Sequence, residues 1–220
     1  MSKKPVLLAP VGSFEALHAA IQGGADAIYF GVEQLNMRTK SVPKITLEDI
    51  EEIATICKKK GVRSYLTLNT IVYDHDLVLA QQIVRSCKEK GIDAIIASDF
   101  AVFELCKRFG MPLHISTQAN VSNIEAVTFF AQFADVVVLA RELTISQVSK
   151  ITQEIKRRNL CGPSGELVQI ECFVHGALCM AVSGKCYLSL HEKNASANRG
   201  ACVQNCRRPY EVIDKETGNV

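Results

Sequence analysis

One feature constrains this chain more than any other. Short runs of Val, Ile and Leu alternate regularly with longer amphipathic segments. The runs fall at residues 6–9, 27–30, 62–68, 92–97, 112–117, 135–139 and 167–173. Nearly unbroken apolar character over so few residues is the mark of strands buried on both faces, as in a parallel sheet. Helical periodicity fills the intervals at 14–22, 47–60, 77–90, 101–109, 124–133 and 145–158. This rhythm leaves two architectures, an open doubly wound sheet or a (β/α)₈ barrel. Polar residues end almost every strand on one side: Gly31, Asn69, Ser98 with Asp99, Gln118, Arg141 with Glu142, and His175. In a barrel those ends converge on a single mouth, whereas an open sheet gathers its ligand residues at one switch point. No Gly-x-Gly-x-x-Gly follows the first strand. The expected fold is therefore α/β, a TIM-like barrel with seven strands in view.

Local punctuation agrees. Thr46 with Asp49 reads as a helix start, and Thr144 with Gln147 as a capping box. Gly61 and Gly91 each follow a lysine-rich last turn, as helix C-termini do. Gly24-Ala-Asp-Ala-Ile28 and Gly91-Ile-Asp-Ala-Ile95 are one unit used twice, with Phe133-Ala-Asp-Val-Val137 a looser third copy. At 48% hydrophobic and 22% charged residues, composition excludes disorder. A net charge of +2 excludes gripping nucleic acid by global charge. No run is long enough for a membrane span and no signal peptide is evident, so a cytoplasmic location is expected. The expected domains are a barrel at 1–175, a cysteine-rich segment at 176–209, and the start of a further strand or hairpin at 210–220, cut short by C-terminal truncation.

Five of the nine cysteines fall between Cys172 and Cys206. Cys57, Cys87 and Cys106 lie in helical patterns, and Cys172 is expected to pack between sheet and helices. From Cys179 the spacing is C-x₆-C-x₁₅-C-x₃-C, ending at Cys206. Four thiols spread over loops suit tetrahedral zinc or an iron–sulfur cube, with a lean toward the latter. Lys185, Lys193, Arg199, Arg207 and Arg208 are candidates to offset a cluster's negative charge or to meet RNA phosphates.

Several motifs carry a resemblance. They are Leu8-Ala-Pro-x-Gly12, Gly24-Ala-Asp-Ala-Ile-Tyr-Phe-Gly31, Asn36-x-Arg38, Ser116-x-Gln118-x-Asn120 and Arg141-Glu142. To these is added Glu171-x-Phe-Val-His-Gly-Ala-Leu-Cys179-Met-x-x-x-Ser-Gly-x-Cys186. Together they resemble the collagenase-like peptidase family, which includes proteins of tRNA uridine 5-hydroxylation, rRNA cytidine hydroxylation and ubiquinone ring hydroxylation. The resemblance implies a TIM-like barrel with a [4Fe-4S] cluster on Cys179, Cys186, Cys202 and Cys206, zinc being the alternative. It implies formation of 5-hydroxyuridine at a tRNA wobble position with a prephenate-like hydroxyl donor. The alternatives are a peptidase, or hydroxylation of rRNA or a small aromatic substrate. The implied partners are tRNA, a small organic acid such as prephenate, and an iron–sulfur assembly or redox partner, with no membrane.

Glu171, His175 and Arg141 are the catalytic candidates, the first two sharing one face of an extended strand. Arg38, Asn69, Gln118, Asn120 and Glu142 are the candidates for substrate binding. For proteolysis the motifs are wanting: His191-Glu192 is not followed by a second histidine at metalloprotease spacing, and Gly162-Pro-Ser-Gly165 is not a nucleophile elbow.

Overall fold

The computed structural model describes residues 4–32, 35–37, 45–176 and 178–218. Seven parallel strands follow one another in chain order: β1 (Leu8–Pro10), β2 (Ala27–Phe30), β3 (Arg63–Leu68), β4 (Ala94–Ala97), β5 (Leu113–Ile115), β6 (Val136–Val138) and β7 (Gln169–Glu171). Each pairs only with its sequence neighbours, so β1 and β7 are both edges. The helices between them are α1 (Phe14–Gln22), α2 (Ile50–Lys60), α3 (Leu77–Lys90), α4 (Phe100–Phe109), α5 (Ile124–Phe130) and α6 (Ile145–Arg157). The expected closed TIM-like barrel is thus corrected to an open half-barrel. An eight-stranded barrel closes only when its last strand meets its first, and here no β7–β1 ladder forms among the described residues. Nor is this the doubly wound alternative, since the strand order never reverses.

Side-chain alternation gives the sheet two faces. Ile28, Phe30, Leu66, Leu68, Ile95, Ile115 and Val137 point outward into the main core beneath the helices, with Leu17, Ile50, Ile53, Ile83 and Val102 opposite them. Ala27, Tyr65, Ala94 and Ile96 form a separate inner cluster with Leu8 and Tyr29. The helical cysteines Cys57, Cys87 and Cys106 belong to the outer core, where burial pushes their thiols up to about 11, 12 and 12. They are therefore inert packing groups rather than metal ligands.

The threefold Gly/Ala-Asp motif has a physical explanation. Each aspartate precedes an even-numbered strand and accepts hydrogen bonds from the chain entering the neighbouring strand. Asp26 takes the Leu7 amide at 2.8 Å, Asp93 the Ser64 amide at 2.7 Å and hydroxyl at 3.2 Å, and Asp135 the Ser164 amide at 3.0 Å and hydroxyl at 2.7 Å. These staples pin the strands at the end of the sheet away from the mouth. Gly162 sits so close to the third that an added Cβ would lie 2.4 Å from Asp135 Oδ1 and 3.0 Å from the Ala134 carbonyl oxygen. Gly162→Ala is expected to cost about 1–3 kcal/mol, because backbone as well as side chain must shift. A denaturant titration would show the lost stability, whereas an unchanged midpoint would mean that the staple gives way freely.

The expected strand boundaries run too long. Residues 6–7 and 172–173 continue the apolar pattern but lie outside the ladders, Val6 and Leu7 each being half exposed. Because β7 stops at Glu171, Cys172 is exposed rather than packed between sheet and helices. Residues 210–218 form no strand, and Asp214 instead closes a turn by accepting the amides of Glu216 and Thr217. Among the described residues no helix is long and apolar enough to cross a membrane.

Candidate functional site

The C-terminal ends of the strands enclose a cavity of about 350 Å³. Its floor is the upper inner layer of the half-barrel: Tyr29, Thr67, Ile96, Ser116, Val138 and Glu171. The wall includes residues 10–12, Gly31, Asn36, Met37, Asn69, Gln118 and Phe173. Gly31 is required by close approach, since a Cβ there would come within 2.6 Å of the Asn36 side chain. One layer below, Tyr65 and His114 meet edge to face at 4.5 Å. Burial holds His114 down at about 4, so it is neutral at ordinary pH.

Glu171 is the carboxyl in the lining of this cavity. It is the last residue of β7, and burial pushes its carboxyl up to about 7. No cation stands among the causes of that shift. Arg141, the other strand-end candidate, is engaged elsewhere. Arg141 donates through Nε to Ser183 Oγ at 3.0 Å and through Nη2 to the Ala181 carbonyl at 3.1 Å.

The rim is an amide and hydroxyl network. Asn69 accepts from the Met37 amide at 3.2 Å and donates to Ser116 Oγ at 3.4 Å and to Gln118 Oε1 at 3.2 Å. Ser116 also donates its hydroxyl to Gln118 Oε1. Asn120, held at φ 54°, turns away from the cavity to donate to the carbonyls of Gln118 (2.7 Å) and Ser183 (2.8 Å). Of the other sequence candidates, Asn69 and Gln118 line the cavity, whereas Glu142 and His175 are exposed and outside its lining. His175 lies beyond the end of β7, so the strand alternation that put it beside Glu171 does not reach it. Arg38 lies outside the described residues. Thr67, Ser116 and Phe173 also line the cavity, and the alternation of β3 and β5 is the signal that could have found the first two.

The cysteine-bearing segment is docked on this mouth at two places. Arg141 and Asn120 hold residues 181–183, and Gly184, at φ 70°, packs so tightly that a Cβ would lie 3.1 Å from Gln118 Cβ and Cγ. On the other side, Arg199 donates to both Asp76 carboxylate oxygens and to the Ile71 carbonyl, and stacks over Tyr73 at 4.3 Å. The Asn198 carbonyl accepts the Ile71 amide at 3.3 Å, while Asn198 Oδ1 accepts the Cys186 amide at 3.0 Å. Arg199 is thus a structural anchor and not a free cation for phosphates, while Arg208 reaches Glu192 at 3.4 Å.

Cys179, Cys186, Cys202 and Cys206 occupy this docked segment, three of them exposed and Cys186 half-buried. The described residues hold no group of three or more Cys, His, Asp or Glu side chains gathered closely enough for a metal ion. The sequence expectation of one compact four-cysteine centre is not met in this conformation, since the thiols ride on separately anchored turns around α7 (Leu188–Lys193). Thiols are the donor type a soft metal group takes, but these four are not gathered to hold one here. Cys202 Sγ accepts from the Gln204 amide at 3.4 Å and from the Ser189 hydroxyl at 3.9 Å, and the buried Asn205 carboxamide has no protein partner.

The parallel β/α half-barrel places a half-buried carboxyl at a cavity over its strand ends, the end where barrel folds carry their sites. The chain belongs to peptidase family U32, whose model matches residues 12–219. It is 57% identical over 212 residues to a protein named collagenase from Porphyromonas gingivalis, covering 96% of this chain and 51% of that one. It is 31% identical over 220 residues to the tRNA hydroxylation protein P of Escherichia coli, covering 99% of this chain and 46% of that one. The chain therefore spans about half the length of these curated relatives. The solved U32 peptidase Mk0906 superposes with a TM-score of 0.54 at 17% identity, over 70% of this chain and 66% of that one, a likeness of fold.

Proposed function

We propose that this chain is the catalytic half-barrel of a U32 enzyme that hydrolyses peptide bonds, with Glu171 as its general acid–base. The supporting observation is the half-buried Glu171 carboxyl at the floor of the cavity, which partial burial pushes up to about 7. A carboxyl at that value serves both halves of a hydrolysis. As carboxylate it takes a proton from the water that attacks the amide carbonyl. As carboxylic acid it returns that proton to the departing amine. Gln118 has its side-chain oxygen engaged by Asn69 and Ser116, which leaves its amide nitrogen to donate to the developing oxyanion. The name of the 57% identical relative supports a collagen-like or gelatin substrate. The cysteines Cys179, Cys186, Cys202 and Cys206 are proposed to hold a [4Fe-4S] cluster, with zinc as the alternative. When bound, such a cluster supplies one-electron chemistry.

A second reading is favoured by one observation. The cysteine-bearing segment packs directly on the rim residue Gln118, through Gly184. Hydrolysis needs no redox centre beside its site, but oxidation of a base carbon does. In this reading the cavity takes a tRNA uridine, and an organic acid such as prephenate is reduced as it gives up the hydroxyl.

Full-length protein purified anaerobically, with its iron and acid-labile sulfide measured, should be assayed on gelatin. The same gene should be deleted and the strain's tRNA analysed for 5-hydroxyuridine by mass spectrometry. Cleavage by the wild type that is lost in Glu171→Gln supports the peptidase reading. No cleavage, with the hydroxyl missing from the deletion strain's tRNA, replaces it with the second.

A further inference from the structure

Most polar groups that line the cavity are already engaged with the protein itself. The Thr67 hydroxyl donates to the Phe30 carbonyl at 3.0 Å, and the Thr117 hydroxyl to the Leu139 carbonyl at 3.4 Å. Asn69 directs its carboxamide nitrogen to Ser116 Oγ and Gln118 Oε1, and its oxygen to the Met37 amide. Ser116 donates its own hydroxyl to Gln118 Oε1. The remaining surface is largely apolar. Ile96 and Val138 in the floor are 5% and 2% exposed, and Phe173 in the wall is 49% exposed. Among the described lining residues there is no Lys, Arg or His, and Glu171 is the one carboxyl. Arg141, a cation at the same strand ends, is held on Ser183 and Ala181 instead.

Charge and engaged donors together define what this cavity takes. A carboxylate entering it would lose its water, meet no cation and face the Glu171 carboxyl, a cost with nothing to offset it. An ammonium group would give up its water for one contact and hold Glu171 ionised, where hydrolysis also needs the acid form. An apolar side chain needs no polar partner and gains by leaving water. We propose that the cavity is a subsite for one uncharged, apolar side chain of a peptide, of the kind of leucine or phenylalanine, beside the bond to be cleaved. The inference rests on the peptidase reading and names the bond that such an enzyme would select. Gln118 Nε2, which donates to no described residue, is then left for the peptide carbonyl. Phe173 is the specificity-determining contact. Its half-exposed ring belongs to neither hydrophobic cluster, so it can be truncated without opening the core.

The test is equilibrium binding to the full-length protein, followed by nuclear magnetic resonance. The probes are the N-acetyl amides of leucine, phenylalanine, lysine and aspartate, with uridine beside them. Cleavage of acetyl-Gly-X-Gly-Gly amides, X being the same four residues, is measured in parallel. The leucine and phenylalanine probes are expected to bind at least about tenfold more tightly than the aspartate probe. Phe173→Ala should weaken both roughly tenfold and leave aspartate unchanged, and in cleavage it should raise KM with kcat unmoved. Aspartate or lysine bound as tightly as leucine overturns the inference, as does uridine bound more tightly than either apolar probe. So does the absence of binding by any probe, or affinities that Phe173→Ala leaves unmoved. The expected ranking with no peptide cleaved keeps the apolar selectivity and overturns the peptidase reading alone. Cleavage that ignores X does the reverse. Should Phe173→Ala fail to fold, the wild-type ranking decides.

Discussion

Glu171→Gln is expected to make the protein more stable at pH 8 and at the same time remove its turnover. The carboxyl is pushed up to about 7 by burial, from an ordinary value of 4.5. Between those two values the folded protein binds a proton that the unfolded chain releases. Stability is therefore fully present below about pH 4.5 and is lost as pH rises through about 7. Above that range the native state carries a half-buried charge at a cost on the order of 3 kcal/mol. Glutamine is an uncharged isostere, so thermal unfolding of wild type and variant should coincide near pH 4 and diverge above pH 7, the variant unfolding at the higher temperature. Turnover should fall by roughly a hundred- to ten-thousandfold, the usual contribution of a positioned general base. In the wild type, turnover should rise with pH through about 7, as the carboxylate form becomes populated. Parallel melting curves at pH 8 would mean that Glu171 is solvated in the native state, and the acid–base role would lose its support.

The helices were the most legible part of this molecule, because their signals are local. The periodic segments at 14–22 and 77–90 coincide with α1 and α3, and Gly61 and Gly91 end α2 and α3 in the left-handed conformation that their position predicts. The capping box of Thr144 and Gln147 forms as its spacing requires. Strand ends were less legible. An apolar run shows where a strand can be buried, but the ladder stops where its neighbour stops, and β7 ends four residues before His175. The site divides along the same line. Asn69 and Gln118 could be placed on the rim because they follow strands of known direction. Arg141 and Arg199 could not be assigned, because their partners lie 42 and 123 residues away and only the fold brings them together. Sequence made Arg141 a catalytic candidate and Arg199 a partner for cluster charge or phosphate, and geometry makes both into anchors. The raised pKa of Glu171 was equally hidden, since it depends on the surrounding inner layer and not on sequence neighbours.

The anchor at Arg199 leads to the second large effect. Arg199→Ala should release the cysteine-bearing segment from the half-barrel while leaving the sheet folded. Arg199 and Asp76 are only 23% and 10% exposed at their side chains, and their closest approach is 2.5 Å. The guanidinium also lies over Tyr73 and holds the Ile71 carbonyl at 2.9 Å. Truncation leaves Asp76 a nearly buried carboxylate with only the Tyr73 amide and the exposed His75 beside it. Removing one partner from such a pair destabilises by about 2–4 kcal/mol, somewhat less than for full burial because Arg199 retains some solvent. Lysine should not restore the contact, since it offers neither the two-pronged hydrogen bond nor the planar stacking surface. The same contact gives the segment an acid limit. Hydrogen bonding from Arg199, and then from the Tyr73 amide, holds the Asp76 carboxyl below its usual range despite burial. Its contribution is therefore present above the ordinary carboxylate pKa and is lost as pH falls through the lowered one. Hydrogen exchange should show faster amide exchange across residues 71–76 and 186–206 in Arg199→Ala, and in wild type at low pH, with β2 to β5 still protected. Equal protection of those segments in wild type and variant would show that residues 181–184 alone, through Arg141 and Asn120, suffice to hold the segment on the mouth.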